Sequence, residues 1–446
     1  MQSEAFKTLR LGLPIIIGEL AQMAIHLIDT AMVGAISYKH IAAASLVINA
    51  INIPFVLGLG MTISVSQMVS MAHGRNDQNA ISHYLFNGFF LCSLTALLIG
   101  GALVVGRNFL KHLGQDAVVV QLALPFMEIM AWSIIPTLLF LTLKQFADGL
   151  QVTKVAMILS LLSIPVDVFL NWLLIYGNWG FPRLELIGAG WAALITRVLL
   201  FLIFTIVVFT HRHFKEYIAL TKSQWYLKRK TLNDFLHIGI PSSLQVAFES
   251  GAFAISAIII GTIGAVAQAA HQIAISCASF TFMVSMGLSQ AGSIRVSNAY
   301  GSNDWNKISE IGKSTLQVGL IYGCLCALCF GIFRNQLPLI FNNNPQVVQL
   351  AGKLLICAAI FQISDCTQAI GAGLLRGIKD VKLPTILIAV AYWLIGLPIG
   401  YLLALTFKLK AVGMWIGFIA GLTFAGIFLT VRFLKRSQNP KQNRFN

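Results

Sequence analysis

Charged side chains are scarce in this sequence. Only 11% of its 446 residues are Asp, Glu, Lys or Arg, and only 16 residues are acids. Soluble domains usually carry about 25% charged residues, so a water-soluble globular protein is excluded. The hydrophobic share is 57% and the mean hydropathy is +0.79, which together predict a polytopic membrane protein.

Several chemical motifs are also missing. No Gly-x-x-x-x-Gly-Lys-Ser/Thr phosphate-binding loop occurs, so ATP could drive the protein only through a separate subunit. The nine histidines form no His-Glu-x-x-His pair, and no cofactor motif is present, so we do not expect an enzyme. The seven cysteines lie in apolar segments, where Cys324, Cys326 and Cys329 fit small apolar helix positions better than a metal site.

Long apolar stretches fill most of the chain. Each is about 20 residues or longer and can cross a ~30 Å hydrocarbon layer as a helix. The alternating ~10-residue stretches of a transmembrane barrel are not visible. We therefore expect an all-α polytopic fold with about twelve transmembrane helices, at approximately 11–36, 41–71, 84–106, 118–142, 154–177, 187–210, 237–261, 266–296, 313–333, 345–371, 383–407 and 411–433.

The two halves of the chain resemble each other. At a constant offset of 227 residues, Leu11-Gly12-Leu13-Pro14 aligns with Ile238-Gly239-Ile240-Pro241, and Gly74-Arg75-Asn76-Asp77 aligns with Gly301-Ser302-Asn303-Asp304. An even number of spans in each copy gives both copies the same orientation. The predicted domains are an N-lobe with helices 1–6 (1–210), a linker (211–235), a C-lobe with helices 7–12 (236–434) and a basic tail (435–446).

The net charge of +15 is unevenly distributed. If both termini lie on one side, the segments on that side hold 22 of the 31 Lys and Arg residues, and the opposite loops hold 8. This bias follows the positive-inside rule and predicts that both termini, the linker and the tail are cytoplasmic. Membrane lipid is therefore the expected surrounding, and a nucleic-acid partner is an unnecessary hypothesis.

Three acids interrupt apolar spans: Asp29, Glu249 and Asp365. A carboxylate in hydrocarbon costs about 2.5–3.5 kcal/mol on insertion scales, so such residues usually face a cavity and carry function. A carboxyl group removed from water favours its protonated form, while two neighbouring carboxylates can share Na⁺. With an internal duplication and no ATP motif, these acids indicate a secondary transporter. Each acid alone could instead only bond a neighbouring helix.

Several motifs together resemble the multidrug and toxic compound extrusion (MATE) family in its NorM-type branch. They are Pro14 followed by Asp29, the loops at Gly74 and Gly301, Ala147-Asp148-Gly149, Pro165 to Asn171, Phe248-Glu249-Ser250-Gly251, and Asp365. The resemblance covers essentially the whole chain. It implies two six-helix lobes, alternating access, and efflux of lipophilic organic cations driven by Na⁺ or H⁺ entry. The inner membrane of a bacterium is the expected location, and two fused repeats that enclose a complete cavity make a functional monomer sufficient.

The resemblance also implies roles for single residues. Asp29 corresponds to the first-helix acid of the N-lobe, with Asp167 and Asn171 as its neighbours in cation or proton coupling. Glu249 and Asp365 correspond to the C-lobe acids that hold sodium. The same three acids, Asp29, Glu249 and Asp365, are expected to attract the cationic substrate.

Other positions have less defined roles. Phe361 stands where family members place a Tyr, so it is a candidate substrate contact, and its lack of a hydroxyl weakens the sodium assignment relative to protons. Pro14 is expected to bend the first helix, and Asp148 to cap or gate the fourth. Glu19 and Glu128 have no family counterpart that we can name, and structural pairing is an equal alternative for them.

Three other functions compete with the transporter interpretation. A lipid-linked precursor flippase could share the fold, but it would need several cationic residues in its cavity, and only Arg197 lies well inside a span. A membrane-embedded enzyme would need a nucleophile–base pair or a metal cluster. A passive channel would dissipate the ion gradient without moving a substrate uphill.

Overall fold

The computed structural model describes residues 3–112, 115–218 and 225–438. Within these ranges the protein is helical without strands, and twelve helices are long and apolar enough to cross a membrane. The predicted all-α polytopic class is therefore confirmed. The helices are α1 Glu4–Gly34, α2 Tyr38–Gly74, α3 Gln78–Gly106, α4 Ala117–Gly149, α5 Thr153–Tyr176, α6 Glu185–Thr210, α7 Arg229–Ile263, α8 Ala265–Gly301, α9 Trp305–Ile332, α10 Pro345–Gly377, α11 Lys382–Thr406 and α12 Lys410–Gln438.

Short helical segments occur in several of the connections. They are Arg107–His112, Asn178–Gly180, Arg212–Ile218 and Leu337–Ile340. The third of these begins the predicted linker. Residues 219–224 of that linker and 439–446 of the predicted tail lie outside the described residues.

The two repeated Gly-to-Asp loops are helix-capping turns. In the first loop, Asn76 adopts a left-handed backbone with φ of 55°, and Asp77 accepts a hydrogen bond from the Ala80 backbone N–H at 3.0 Å. In the second, Asn303 has φ of 59°, and Asp304 accepts from the Lys307 N–H at 3.0 Å. Asn tolerates this backbone better than most residues, and an N-terminal Asp satisfies a free N–H. The motif thus has a structural cause.

Helix α4 runs seven residues past the predicted end of its span at residue 142. The sequence predicts Lys144 in the loop after this span and Asp148 at the helix end, and the structure buries both within the helix. They remain in the helix because they pair with each other and with a neighbouring carboxylate. A hydrophobicity pattern cannot include such paired charges, since it treats each charge as solvent-exposed.

By contacts the chain divides into two compact units. The C-terminal unit contains Met1–Ile16 and Leu244–Asn446, and the N-terminal unit contains Ile17–Ser243. The two boundaries are 227 residues apart, which is the offset of the internal repeat. Each boundary lies just after a helix proline, Pro14 in α1 and Pro241 in α7. Both helices therefore contribute residues to two units. The predicted lobes, 1–210 and 236–434, are instead divided at the linker.

Matching glycines allow close helix packing in each unit. A Cβ atom on Gly60 of α2 would collide with the backbone of Ser243, and one on Gly287 of α8 would lie 3.1 Å from the backbone N of Ile16. Both pairs obey the 227-residue offset. Small residues let transmembrane helices approach closely, which strengthens their van der Waals attraction. The repeat is thus visible in packing as well as in sequence.

The cores of both units are apolar and tightly packed. In the N-terminal unit, buried residues from α2, α4 and α6 form one large cluster that includes Val47, Phe126 and Ala189. In the C-terminal unit, Ser289 of α8 donates a hydrogen bond to the Ala369 carbonyl of α10 at 2.6 Å. The hydrogen bond from Ser289 joins α8 to α10, the helix that carries Asp365.

Candidate functional site

One cluster of polar side chains lies between α1 and α5 in the N-terminal unit. The side-chain amide of Asn171 donates to Asp29 Oδ1 at 2.7 Å and to Asp167 Oδ2 at 2.9 Å. Asp167 and Asn171 are buried, while Asp29 is partly exposed. Because Asp167 and Asn171 are four residues apart, they share one face of α5. The structure thus brings these three predicted residues into one hydrogen-bonded group.

Asp29 also lines a cavity of about 410 Å³ within the N-terminal unit. Most of the wall is apolar and includes Phe126 and Phe140, while polar groups include His26 and Arg197. The Arg197 guanidinium also donates to the Ser133 hydroxyl and is close enough to attract Asp29 and Asp167. The cavity therefore combines an aromatic wall with one carboxylate and one guanidinium.

A second group of charges in the N-terminal unit connects α1 with α4. The Lys144 ammonium donates to Glu19 at 2.7 Å and lies 3.9 Å from Asp148. Asp148 is 1% exposed, and among the described residues its oxygens accept no hydrogen bond. It lies beside a buried ammonium near the end of α4, and its capping or gating role stays a prediction. Glu128 pairs with Arg107 elsewhere in the same unit.

A separate cluster lies in the C-terminal unit. Glu249 of α7 and Asp365 of α10 interact electrostatically, and Asp365 is buried. The buried Tyr392 of α11 lies within electrostatic range of both carboxylates. Its hydroxyl faces Glu249, although the geometry of the two groups does not meet the criteria for a hydrogen bond. Two carboxylates and a hydroxyl therefore provide three oxygen-bearing groups in an apolar setting.

Phe361 belongs to the aromatic wall of this cluster. Its ring is buried and lies edge-on to Phe253, Trp415 and Phe418, with centroids 5.5–6.4 Å apart. Phe253 also packs against Tyr392 at 5.9 Å. This packing connects the tyrosine ring to a cluster of aromatic side chains.

Tyr392 lies in an irregular part of α11. Residues Val390–Gly396 and Leu402–Thr406 form π-helical turns. Such turns are rare and often occur at functional sites. The indole N–H of Trp393 donates to the Phe248 carbonyl at 3.1 Å, which ties this turn to α7 next to Glu249.

Sequence reasoning missed two members of these clusters. Tyr392 was not selected because a single Tyr in an apolar span carries no charge, and Lys144 was assigned to a loop. The nearby Gly396 and Pro398 are a signal of irregular helix geometry that could have drawn attention to this tyrosine. Within the described residues, no group of three or more His, Cys, Asp or Glu side chains could hold a metal ion.

Fold and clusters together define a class: an integral membrane protein of twelve apolar helices with buried carboxylates in both of its repeated halves. The MatE family profile matches residues 14–173 and 241–402, one segment in each half. The chain belongs to this family, the multidrug and toxic compound extrusion (MATE) proteins, which are membrane transporters and not enzymes.

Curated relatives match nearly the whole chain. A protein of Rhizobium meliloti named "Probable multidrug resistance protein NorM" is 33% identical over 437 residues, which are 96% of this chain and 92% of the relative. "Multidrug resistance protein MdtK" of Yersinia pseudotuberculosis is 33% identical over 443 residues, which are 98% of this chain and 96% of the relative.

Solved structures support the same fold. A crystal structure of a MATE protein in complex with MaD3S has a TM-score of 0.90 at 18% identity, and covers 99% of this chain and 98% of that one. The eukaryotic MATE transporter AtDTX14 has a TM-score of 0.88 at 18% identity, and covers 99% of this chain and 98% of that one. At these identities the likeness establishes the architecture alone.

Proposed function

We propose that the protein is a multidrug efflux antiporter that exchanges entering H⁺ or Na⁺ for lipophilic organic cations by alternating access. The observation that carries this proposal is the Asp29–Asn171–Asp167 group, in which one neutral amide bridges two carboxylates from different helices. The names of the curated relatives, which are multidrug resistance proteins, support the drug-export part.

Protonation of Asp29 would change the bonding between α1 and α5. An ionised carboxylate can only accept hydrogen bonds, whereas a protonated one can also donate. The side-chain carbonyl oxygen of Asn171, Oδ1, is buried and has no hydrogen-bond partner within the described residues. Rotation of the side-chain amide would therefore offer this oxygen to a protonated Asp29. Proton binding would thus replace the present bond with one of opposite direction, which gives the contact between the two helices two distinct hydrogen-bonding states.

The cavity beside Asp29 suits a lipophilic cation. Its volume lies within the range of about 300–1,000 Å³ that is typical of small-molecule pockets. Aromatic residues contact the apolar body of such a substrate and attract its charge. When Asp29 and Asp167 are ionised, Arg197 offsets one of the two negative charges and leaves one for the substrate. A proton on Asp29 cancels that charge, so substrate and proton compete.

The cluster in the C-terminal unit suits Na⁺. Hard cations prefer oxygen ligands, and Glu249, Asp365 and the Tyr392 hydroxyl are all oxygen donors. Tyr392 offers the hydroxyl that Phe361 lacks. Na⁺ or H⁺ on this pair would neutralise charge that also attracts a cationic substrate. Coupling then requires only that the two facing states differ in affinity for ion and substrate.

The direct test is transport in proteoliposomes. Efflux of a fluorescent organic cation is measured under separately imposed Na⁺ and H⁺ gradients. We expect Glu249→Gln and Asp365→Asn each to abolish Na⁺-driven transport while the protein remains folded, because each removes a charge and keeps its shape. Glu310→Gln, which neutralises an exposed acid of α9, is the matched control. Na⁺-driven efflux retained in both variants would eliminate the sodium site.

The broader proposal has its own test. If neither gradient drives uphill efflux for any member of a wide panel of organic cations, the antiporter function is wrong. We further propose that the protein works as a monomer in the inner membrane of a bacterium, with both termini in the cytoplasm, because the two repeats supply both clusters and the Lys and Arg bias follows the positive-inside rule.

A further inference from the structure

A groove of about 550 Å³ lies between the start of α11 and the end of α12, within the C-terminal unit. None of its residues belongs to the Asp29–Asn171–Asp167 group or to the Glu249–Asp365–Tyr392 cluster. One part of its wall is apolar and another is basic. The apolar part consists of Leu383, Leu387, Phe428 and Val431, and the basic part consists of Arg432, Lys435 and Arg436.

The two parts of the wall follow the direction of α12. Phe428 and Val431 lie toward the apolar body of the helix, and the basic residues occupy its last turns. From Phe428 to Arg436 the helix rises about 12 Å, at 1.5 Å per residue. The groove therefore passes from a surface suited to hydrocarbon to one suited to a negatively charged group, along the axis of the helix.

The apolar wall is open and not covered by the described protein residues. Leu383, Phe428 and Val431 are 38%, 49% and 43% exposed. In an integral membrane protein such a surface contacts lipid chains, and a water-soluble anion would gain nothing from it. The occupant must then carry an apolar chain as well as a charge.

A partly buried ion pair holds the basic wall in place. Asp380 accepts two hydrogen bonds from the Arg432 guanidinium, at 2.7 and 2.9 Å, and lies 3.6 Å from Arg436. Lys435 is the third cation of the wall. Among these four side chains, positive charge exceeds negative charge by two. The arginines are therefore fixed in position, and the mouth of the groove keeps a net positive charge.

We infer that this groove is a binding site for an anionic glycerophospholipid. Its phosphate would lie against Lys435 and Arg436, with one acyl chain along Leu383 and Val431. Basic pockets between transmembrane helices recognise anionic headgroups in this way, because the phosphate gains charge-assisted hydrogen bonds where the hydrocarbon layer ends. The inference concerns a surface outside the ion clusters, so it does not depend on the proposed antiport.

The test measures lipid binding directly. The purified full chain is placed in nanodiscs of phosphatidylcholine with increasing phosphatidylglycerol, and bound phosphatidylglycerol is counted by native mass spectrometry. The variants are Lys435→Gln/Arg436→Gln, which removes charge, and Val431→Trp, which fills the apolar wall and leaves the charge unchanged. The control is Lys307→Gln/Lys313→Gln, which removes two exposed charges from α9 of the same unit.

We expect the charge variant to bind phosphatidylglycerol about 30-fold more weakly, from about 1 kcal/mol for each basic residue at an anionic surface. Val431→Trp should also lose the bound lipid, and the control should keep it. An equal loss in the charge variant and the control would overturn the inference, because it indicates a general surface potential. Unchanged binding in Val431→Trp, together with displacement of the lipid by inorganic phosphate, would also overturn it and indicate a site for free anions.

Discussion

At the scale of single residues, the main feature is that the side-chain amide of Asn171 donates hydrogen bonds to two carboxylates, those of Asp29 and Asp167. Asn171 uses its side-chain amide nitrogen for both bonds, so Asp29 and Asp167 depend on the same donor. Any change in the charge of Asp29 must therefore change what Asp167 experiences. The proton response that we propose for Asp29 therefore involves both carboxylates.

The first prediction concerns Asp29→Asn, which imitates the protonated side chain. We expect organic cations to bind about tenfold more weakly or worse, because a charge-assisted contact is lost, and the remaining transport to lose its pH dependence. Cation binding and efflux across a pH series measure both effects. Normal affinity with an unchanged pH profile in Asp29→Asn, while Asp365→Asn loses both, would move the proton site to the C-terminal unit.

The second prediction concerns the buried ammonium of Lys144. Lys144→Met leaves Asp148 buried without its cation, which costs about 3–5 kcal/mol for a broken buried pair. Thermal unfolding in detergent should show a large loss of stability. The double variant Lys144→Met/Asp148→Leu should recover part of it, because Asp148 is then no longer a buried unpaired charge, while the partly exposed Glu19 still lacks its bond to Lys144. A single variant as stable as the native protein would mean that Asp148 is neutral or hydrated.

At the scale of helices, irregular geometry and close packing locate the candidate sites. Tyr392 lies in the first π-helical turn of α11, near Glu249 and Asp365, and Trp393 fastens this turn to α7. A regular helix would place the side chains after the turn on a different face, because each π-turn adds one residue.

The third prediction tests this tyrosine. Tyr392→Phe removes only the hydroxyl, so the Na⁺ concentration for half-maximal efflux should rise about tenfold, the effect of losing about 1.4 kcal/mol, and proton-driven efflux should persist. Tyr401→Phe is the control, since Tyr401 is an exposed tyrosine of the same helix. Installing the missing oxygen with Phe361→Tyr should partly restore the Na⁺ response of Tyr392→Phe. An unaltered Na⁺ response in Tyr392→Phe excludes the hydroxyl as a ligand.

The fourth prediction tests the two packing glycines. Gly60→Ala places a methyl group against the backbone of Ser243, and Gly287→Ala places one against Ile16. Each should destabilise the protein by about 1–3 kcal/mol, the usual cost of overpacking. Gly101→Ala is the control, because no atom lies within 4 Å of the added Cβ. Thermal unfolding that ranks Gly101→Ala as the least stable variant would contradict the packing role of the two glycines.

At the scale of the whole molecule, duplication explains why the two halves share one architecture. The repeat offset recurs in the loops, the packing glycines and the boundaries of the compact units. The acids do not follow it, since Asp29 corresponds to Ser256 in the second half, and Glu249 corresponds to Gln22 in the first. The two halves therefore share a scaffold but differ in their chemistry.

The fifth prediction concerns orientation. Fluorescent protein fused after Asn446 should fold and fluoresce, and alkaline phosphatase fused there should be inactive, because the bias of Lys and Arg places this end in the cytoplasm. Fusions in the loop at Asn178 between α5 and α6 should give the opposite results, because five spans separate that loop from the first segment. Active phosphatase at Asn446 would reverse the assigned topology.

The sequence by itself determined the class, the number of helices and the repeat. Hydrocarbon cannot hydrogen-bond a peptide group, so each long apolar stretch must form a helix. The positions of the apolar stretches along the chain are then enough to count the helices. It also predicted that Asp29, Glu249 and Asp365 are unusual, because a charge in an apolar span is costly wherever it lies.

The family resemblance implied that Asp167 and Asn171 are neighbours of Asp29, but only the tertiary structure decided how the polar groups bond to one another. Asn171 reaches Asp29 across 142 positions of sequence, and Lys144 reaches Glu19 across 125. Tyr392 joins the C-terminal cluster in a π-helical turn, and although Gly396 and Pro398 signal an irregular helix there, they do not specify which side chains the tyrosine meets. These pairings depend on how helices far apart in the chain pack and rotate, and local hydrophobicity carries no information on either.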